Sequence, residues 1–164
     1  GQVLTSAGAD AVPAFEAAGG NTPCFMSYLS SNQSVDSDTA TKIQFNTEVY
    51  DSDGCYDNST NYRFTPTVAG KYYITFKGEI HDIAADKFVN CNLYKNGTRI
   101  GSGYQHSAFV QGVSGHESQV IDFNGSSDYV EAFINHNNGS ARNAKGASGG
   151  SQTNFFMGFR LIGT

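Results

Sequence analysis

Apolar and polar residues alternate along short stretches of this chain, which is the period of a half-buried β-strand rather than of a helix. The clearest case is Lys71–Lys77, with Tyr72, Ile74 and Phe76 on one face and Tyr73, Thr75 and Lys77 on the other. Runs at Phe25–Leu29 and Lys42–Phe45 follow the same rule, separated by a Ser/Asn/Asp-rich loop, Ser30–Asp38. Further strands are predicted at Val89–Tyr94, Ile100–Val110, Gln119–Phe123, Tyr129–Asn135 and Phe155–Ile162. Between two of them, Asn96-Gly97 is a strong hairpin signal, because both residues tolerate the positive φ of a type I′ turn. About eight or more strands with polar turns and no helical period predict an all-β fold, an antiparallel sandwich or jelly roll. No internal repeat is visible.

Two segments depart from this pattern. Residues 1–20 are Ala- and Gly-rich, nearly free of charge and interrupted by Pro13, and Val3, Leu4, Val12 and Phe15 are too sparse for a core. They predict an irregular linker ahead of a head domain spanning 21–164. A start at Gly1 rather than Met reads as a piece of something longer. The second segment, Asn137–Gln152, collects Gly139, Gly146, Gly149, Gly150, Arg142 and Lys145, and predicts a long exposed loop that is functional or mobile.

Composition narrows the function. The 164 residues suit one domain. Twelve Phe and nine Tyr bury enough surface to argue against disorder. A net charge of −5 without Lys/Arg clusters disfavours nucleic acid. No apolar run is long enough for a membrane span, so no membrane insertion is expected.

Catalytic and metal motifs are weak. Gly146-Ala147-Ser148-Gly149-Gly150 matches the Gly-x-Ser-x-Gly spacing, but that elbow works on a strand-to-helix turn and no helix follows. Gly112-Val113-Ser114-Gly115-His116 lacks the closing glycine. Neither predicts an enzyme. Asp51-Ser52-Asp53-Gly54 opens like a calcium loop without its terminal Glu. Asp51 and Asp53, with Asp36, Asp38 and Asp57 nearby, are the weak candidates for a divalent cation such as calcium, and no other cofactor is expected. Cys24, Cys55 and Cys91 are odd in number with no C-x-x-C spacing, and read as small apolar residues that stay reduced. Five Asn-x-Ser/Thr sequons (Asn32, Asn58, Asn96, Asn124, Asn138) are expected by chance in so Asn-, Ser- and Thr-rich a chain.

Several stretches line up with one family. Tyr56-Asp57, Thr60-Asn61-Tyr62-Arg63-Phe64-Thr65-Pro66 and Ala69-Gly70-Lys71-Tyr72-Tyr73 come first. Cys91-Asn92-Leu93-Tyr94-Lys95-Asn96-Gly97, Ser126-Ser127-Asp128-Tyr129-Val130 and Phe156-Met157-Gly158-Phe159-Arg160-Leu161-Ile162 follow. In this order they resemble the globular heads of the complement first component's q subunit and, more distantly, tumour-necrosis-factor-like domains, over roughly residues 23–163. The resemblance implies a ten-stranded jelly roll that forms homotrimers and binds ligands without catalysis. One residue is inserted before Phe64, Ser replaces Gly before Asp128, and Met157 and Arg160 replace Ser and Leu, so ligand residues of animal members do not carry over. A shorter resemblance, in Gly1-Gln2-Val3-Leu4-Thr5-Ser6-Ala7-Gly8 and Pro13-Ala14-Phe15, is to the shaft-to-head segment of bacteriophage tail-fibre and virion-appendage proteins.

A jelly roll that enters from the linker places Ser30–Ala40, Ile80–Phe88, Gln111–His116 and Asn135–Asn154 at the end far from it. His81, Asp82, His116, His136, Asn137, Asn138, Arg142 and Lys145 are therefore the candidate binding residues, suited by amide, imidazole and guanidinium to sugar hydroxyls or acidic groups. Tyr73 points opposite to Tyr72 and Phe76, so one sheet face holds surplus aromatic surface that needs cover. Tyr73, Phe155, Gly158 and Phe159 are the expected trimer contacts. The expected protein is a trimeric, non-enzymatic head of a phage or virus appendage, at the virion surface or otherwise extracellular. Its partners would be two further copies of itself and a host cell-surface receptor or glycan. The alternatives are a structural trimerising knob or capsid-decorating virion protein, and a secreted adhesion module of the same fold.

Overall fold

A computed structural model describes residues 2–5, 12–17 and 20–162; residues 1 and 6–8 of the front motif, and 163–164, lie outside the described residues. Among the described residues there are fifteen strands and no helix. The first two, β1 (Gln2–Thr5) and β2 (Ala14–Ala17), pair antiparallel with Leu4 opposite Phe15. Where sparse apolar residues predicted an irregular linker, these segments satisfy their backbone groups on each other, leaving Leu4 and Phe15 exposed.

The remaining strands form two facing sheets. One contains β3 (Cys24–Tyr28), β4 (Gln33–Val35), β6 (Thr47–Asp51), β9 (Gly70–Ile83), β12 (Gln111–Phe123), β14 (Arg142–Ala144) and β15 (Phe155–Arg160). At its centre, β9 pairs β12 along one edge and β15, then β14, along the other; β15 leads on to β3 and β6. The second sheet contains β5 (Thr41–Lys42), β7 (Tyr56–Asp57), β8 (Arg63–Phe64), β10 (Phe88–Lys95), β11 (Thr98–His106) and β13 (Val130–His136), ordered β11-β10-β13-β8-β7 with β5 also on β13. All pairings are antiparallel, so the predicted jelly roll is the observed fold.

The alternation seen in the sequence builds the core. Tyr72, Ile74, Phe76 and Ile80 of β9 meet Val89, Cys91 and Leu93 of β10 and Val130, Ala132 and Ile134 of β13, all buried. Phe25 is its aromatic centre, stacked on Phe64 (4.3 Å) and Tyr56 (4.9 Å) and edge-on to Phe156 (4.9 Å). Offset and edge-to-face contacts of this kind contribute about 0.5–1.5 kcal/mol beyond burial. The Tyr56 hydroxyl donates to Phe45 O (3.1 Å), so its polar tip is satisfied inside.

Glycines let the sheets close. A Cβ on Gly103 of β11 would run into the backbone carbonyl of His116, and one on Gly115 would meet Cys91 Sγ at 2.8 Å. The edge of the second sheet thus folds down onto β12. At the β10–β11 turn, Asn96 and Gly97 have φ of 51° and 76°, as the Asn-Gly pair predicted.

Four predicted loops differ. Gln111–His116 is part of β12, and Ile80–Ile83 is part of β9, because the two strands pair beyond their centre, from Gly70↔Phe123 to Ile83↔Gln111. Gly112, Ser114 and Gly115 hide the apolar alternation there. Ser30–Asp38 and Asn137–Gln152 each hold a short strand, β4 and β14, which pair with each other. Of the predicted Lys42–Phe45 strand only Lys42 is in β5.

Candidate functional site

Two surfaces collect the residues singled out in the sequence. The first is the solvent face of the β9-centred sheet. In one row of its register lie Cys24, Phe159, Tyr73 and Val120; in the next, Tyr50, Met26, Met157, Thr75 and Ser118. A third row holds Tyr28, Phe155, Lys77 and His116. Tyr73 and Phe159 lie with ring centroids 5.6 Å apart. Val120 is 56 % exposed. Of the four expected trimer contacts, Tyr73, Phe155 and Phe159 share this face. Gly158 does not: it turns inward, where a Cβ would press on Ile74 and, at 3.1 Å, on Phe25. Its neighbours Met157 and Phe159 point outward, because successive strand residues alternate faces.

Polar groups occupy the other end of this face. Thr75 Oγ1 and His116 Nε2 are 2.8 Å apart. Glu79 accepts from Ser114 Oγ (2.9 Å) and contacts His81 Nε2 (2.8 Å). Burial pushes the Glu79 carboxyl up, but hydrogen bonds from Ser114 and His81 and the charges of His81 and Lys145 outweigh it, so it titrates below its ordinary value. His81 and His116 are thus sheet residues, set beside the apolar rows rather than in end loops.

The second surface is the end formed by 80–88 and 135–154. Here the structure engages most candidate side chains internally. His136 is fully buried, not at the surface: Nδ1 accepts from Asn138 N–H (3.2 Å) and Nε2 donates to Val35 O (3.0 Å), an arrangement of the neutral imidazole with its proton on Nε2. Asn137 Oδ1 accepts from Phe88 N–H and Asn138 Oδ1 from Ala84 N–H, each at 2.8 Å. Arg142 Nε donates to the carbonyl of Asp82 (2.8 Å) and its Nη1 to Ala141 O and Ser140 Oγ. Lys145 N–H reaches Glu79 O (3.0 Å), and Gly146 N–H reaches Asn32 Oδ1 (2.8 Å).

Asn154, which the sequence did not single out, is the strap of this region. Fully buried, it accepts from Glu79 N–H (2.5 Å) and donates to Glu79 O and Lys145 O. Nothing local marks it, since its main partner is 75 positions away. Exposed at this end are Asp82, residues 139–141 and the tip 148–151, a turn closed by the Ser148–Ser151 bridge with Gly149 and Gly150 at positive φ. The Gly-x-Ser-x-Gly match therefore sits on a hairpin tip, not on a strand-to-helix elbow.

The aspartates are turn-formers. Asp51 accepts from Tyr56 N–H (2.8 Å) and Asp53 N–H, while Ser52 Oγ donates to Asp53. Among the described residues, no three His, Cys, Asp or Glu side chains gather as metal ligands, and no ligand-sized cavity is enclosed. Cys55 and Cys91 are buried and Cys24 partly so, all as free thiols. No helix among the described residues is long and apolar enough to cross a membrane.

The fold has close counterparts among solved structures. The globular domain of a zebrafish complement 1qA protein covers 86% of this chain and 98% of its own, at 15% identity and a TM-score of 0.57. The Eiger TNF of S. frugiperda covers 86% and 93%, at 9% identity and 0.61. Murine APRIL covers 84% and 99%, at 12% identity and 0.57. The molecule is a jelly roll of the complement-head and tumour-necrosis-factor type. No family model matches the chain, and neither does any curated protein.

Proposed function

We propose that this chain is a trimeric, non-enzymatic binding head, carried at the tip of a phage or virus appendage and presented to a host surface. The observation that carries it is the apolar row Cys24–Phe159–Tyr73–Val120, backed by Met26 and Met157, on a sheet face that the described residues leave partly exposed. A soluble monomer rarely exposes such a patch. Association of three copies through it buries the rings and agrees with the resemblance to complement heads. The virion setting is supported by the front motif at residues 1–8 and 13–15, and host attachment by the free tip 148–151 at the end away from the linker. Three copies of a weak contact at that tip gain avidity.

Light scattering tests the assembly: a trimer mass is expected at micromolar concentration, and a mass near 17.5 kDa overturns it. Attachment is tested by replacing only 148–151 with a Gly-Ser turn, because residues from Asn137 to Gly146 are tied into the fold. Loss of cell binding by an intact trimer is the expected result, and undiminished binding removes the tip as the contact.

A further inference from the structure

The outward face of the other sheet is built unlike a plain solvent face. Strand β10 sends Val89, Cys91 and Leu93 inward, so Asn90 and Asn92 point outward, yet each is only 1 % exposed. Asparagine is depleted in strands, and burying an amide there costs stability unless its groups are matched. All but one of the groups named below are matched in a chain across three strands. Ser102 Oγ donates to Asn90 Oδ1 (2.8 Å), and Asn92 Nδ2 donates to Asn90 O and to Asn135 Oδ1 (3.2 Å each). Asn92 Oδ1 is buried with no partner.

Aromatic rings flank this amide floor. On one side Phe88 and Tyr104 pair at 4.8 Å, with Tyr104 57 % exposed. On the other Tyr94 and Phe133 pair at 4.4 Å. In the register Tyr104 stands opposite Asn90 and Phe133 opposite Asn92, so the rings bracket the amides diagonally across two strand spacings, roughly 10 Å, and more along the strands. The charges nearest the rings are Lys42, whose ammonium lies 5.8 Å from the Phe133 centroid and is neutralised by Glu131 at 2.5 Å, and Arg99 opposite Tyr94 at one end.

We infer that this face binds a neutral oligosaccharide. Pyranose rings carry apolar C–H faces that lie on aromatic rings, and equatorial hydroxyls that meet amides. The span between the ring pairs suits several sugar units rather than one. The exposed hydroxyl of Ser102 and the half-buried amide of Asn135 meet the sugar hydroxyls, and the interlocked amides of Asn90 and Asn92 beneath hold their orientation before the ligand arrives. The face lies on the opposite side of the sandwich from the apolar rows, so self-assembly leaves it open. The inference deepens the binding-head reading by naming a ligand class, but uses a surface distinct from the tip.

The test is the whole chain on an array of neutral and acidic glycans, with each hit titrated calorimetrically against the wild type, Tyr104→Ala and Tyr104→Phe. Capture of a neutral oligosaccharide is expected, weakened about tenfold or more by Tyr104→Ala and retained by Tyr104→Phe, with unchanged melting temperatures. No capture by the wild type, capture of acidic glycans alone, or equal affinity in Tyr104→Ala would each overturn it. Because the array contains no cells, that failure leaves attachment through 148–151 standing. Conversely, a tip variant that still binds cells leaves the sugar face standing.

Discussion

Tyr73 and Phe159 sit side by side on neighbouring strands, ring centroids 5.6 Å apart, on the side of the sheet that the core does not use. Their strand neighbours Tyr72 and Phe156 are fully buried on the other side. With apolar residues on both faces of one sheet, the chain's own core covers only one of its two aromatic faces.

Replacing both outward rings, Tyr73→Ser with Phe159→Ser, is expected to convert the assembly to monomers near 17.5 kDa while the strand content in circular dichroism is kept. A double variant that still sediments as the wild-type species would show that this face is not the contact.

Cys24 supplies an independent readout, because it shares a row with Phe159 and Tyr73. Cys91 is buried and its thiol pushed up to about 12 by desolvation, so it stays protonated and unreactive in the folded chain. Thiol titration of the wild type is expected to be slow at all three cysteines. In the double Ser variant Cys24 alone should become fast, and denaturant should release all three. Rapid labelling of Cys24 in the wild type at high concentration would contradict a covered face, and a stoichiometric disulfide in non-reduced mass spectra would contradict free thiols.

Gly158→Val is expected to damage the fold rather than the contact. Its side chain would enter the core against Ile74 and Phe25. Overpacking of this kind costs about 1–3 kcal/mol, or several degrees of melting temperature at roughly 2–4 °C per kcal/mol. An unchanged melting curve would refute the close approach.

His136→Leu should be comparably severe, at about 1–3 kcal/mol, since it removes the hydrogen bonds to Val35 O and from Asn138 N–H at a buried site. Denaturant melts measure it directly, and a loss confined to cell binding with full stability would instead make His136 a surface residue.

Acid should loosen the turn after β7. The N–H of Thr60 foremost, with Ser59 and Asn61, holds the Asp57 carboxyl well below the ordinary carboxylate range, against a smaller opposing effect of burial. A depressed pKa means that the ionised form folds better. The contribution is complete above the unfolded value of 3.8 and fades as pH falls through the lower folded-state value. Asp57→Asn is therefore expected to lower the melting temperature at neutral pH and to flatten the acid limb of the pH–stability curve. An acid limb identical to the wild type's would remove Asp57 from the account.

Local pattern determined much of this protein. Alternation in Lys71–Lys77 marks both faces of β9, because strand side chains point to opposite sides whatever lies beyond them. Asn96-Gly97 names its own turn, and Gly158 between outward Met157 and Phe159 announces a tight interior, since each depends on residues adjacent in the chain. The end region was not legible in this way. His136, Asn137, Asn138 and Arg142 look like a polar binding loop in one dimension, but their partners are Val35, Phe88, Ala84 and Asp82, brought in from distant strands. Likewise nothing in Asn90, Asn92, Ser102 and Asn135 marks a shared amide layer until three strands are laid in register. Hydrogen bonds of buried polar groups are set by whichever strands the hydrophobic core brings together, so tertiary structure alone decides which polar residues stay free to meet a ligand.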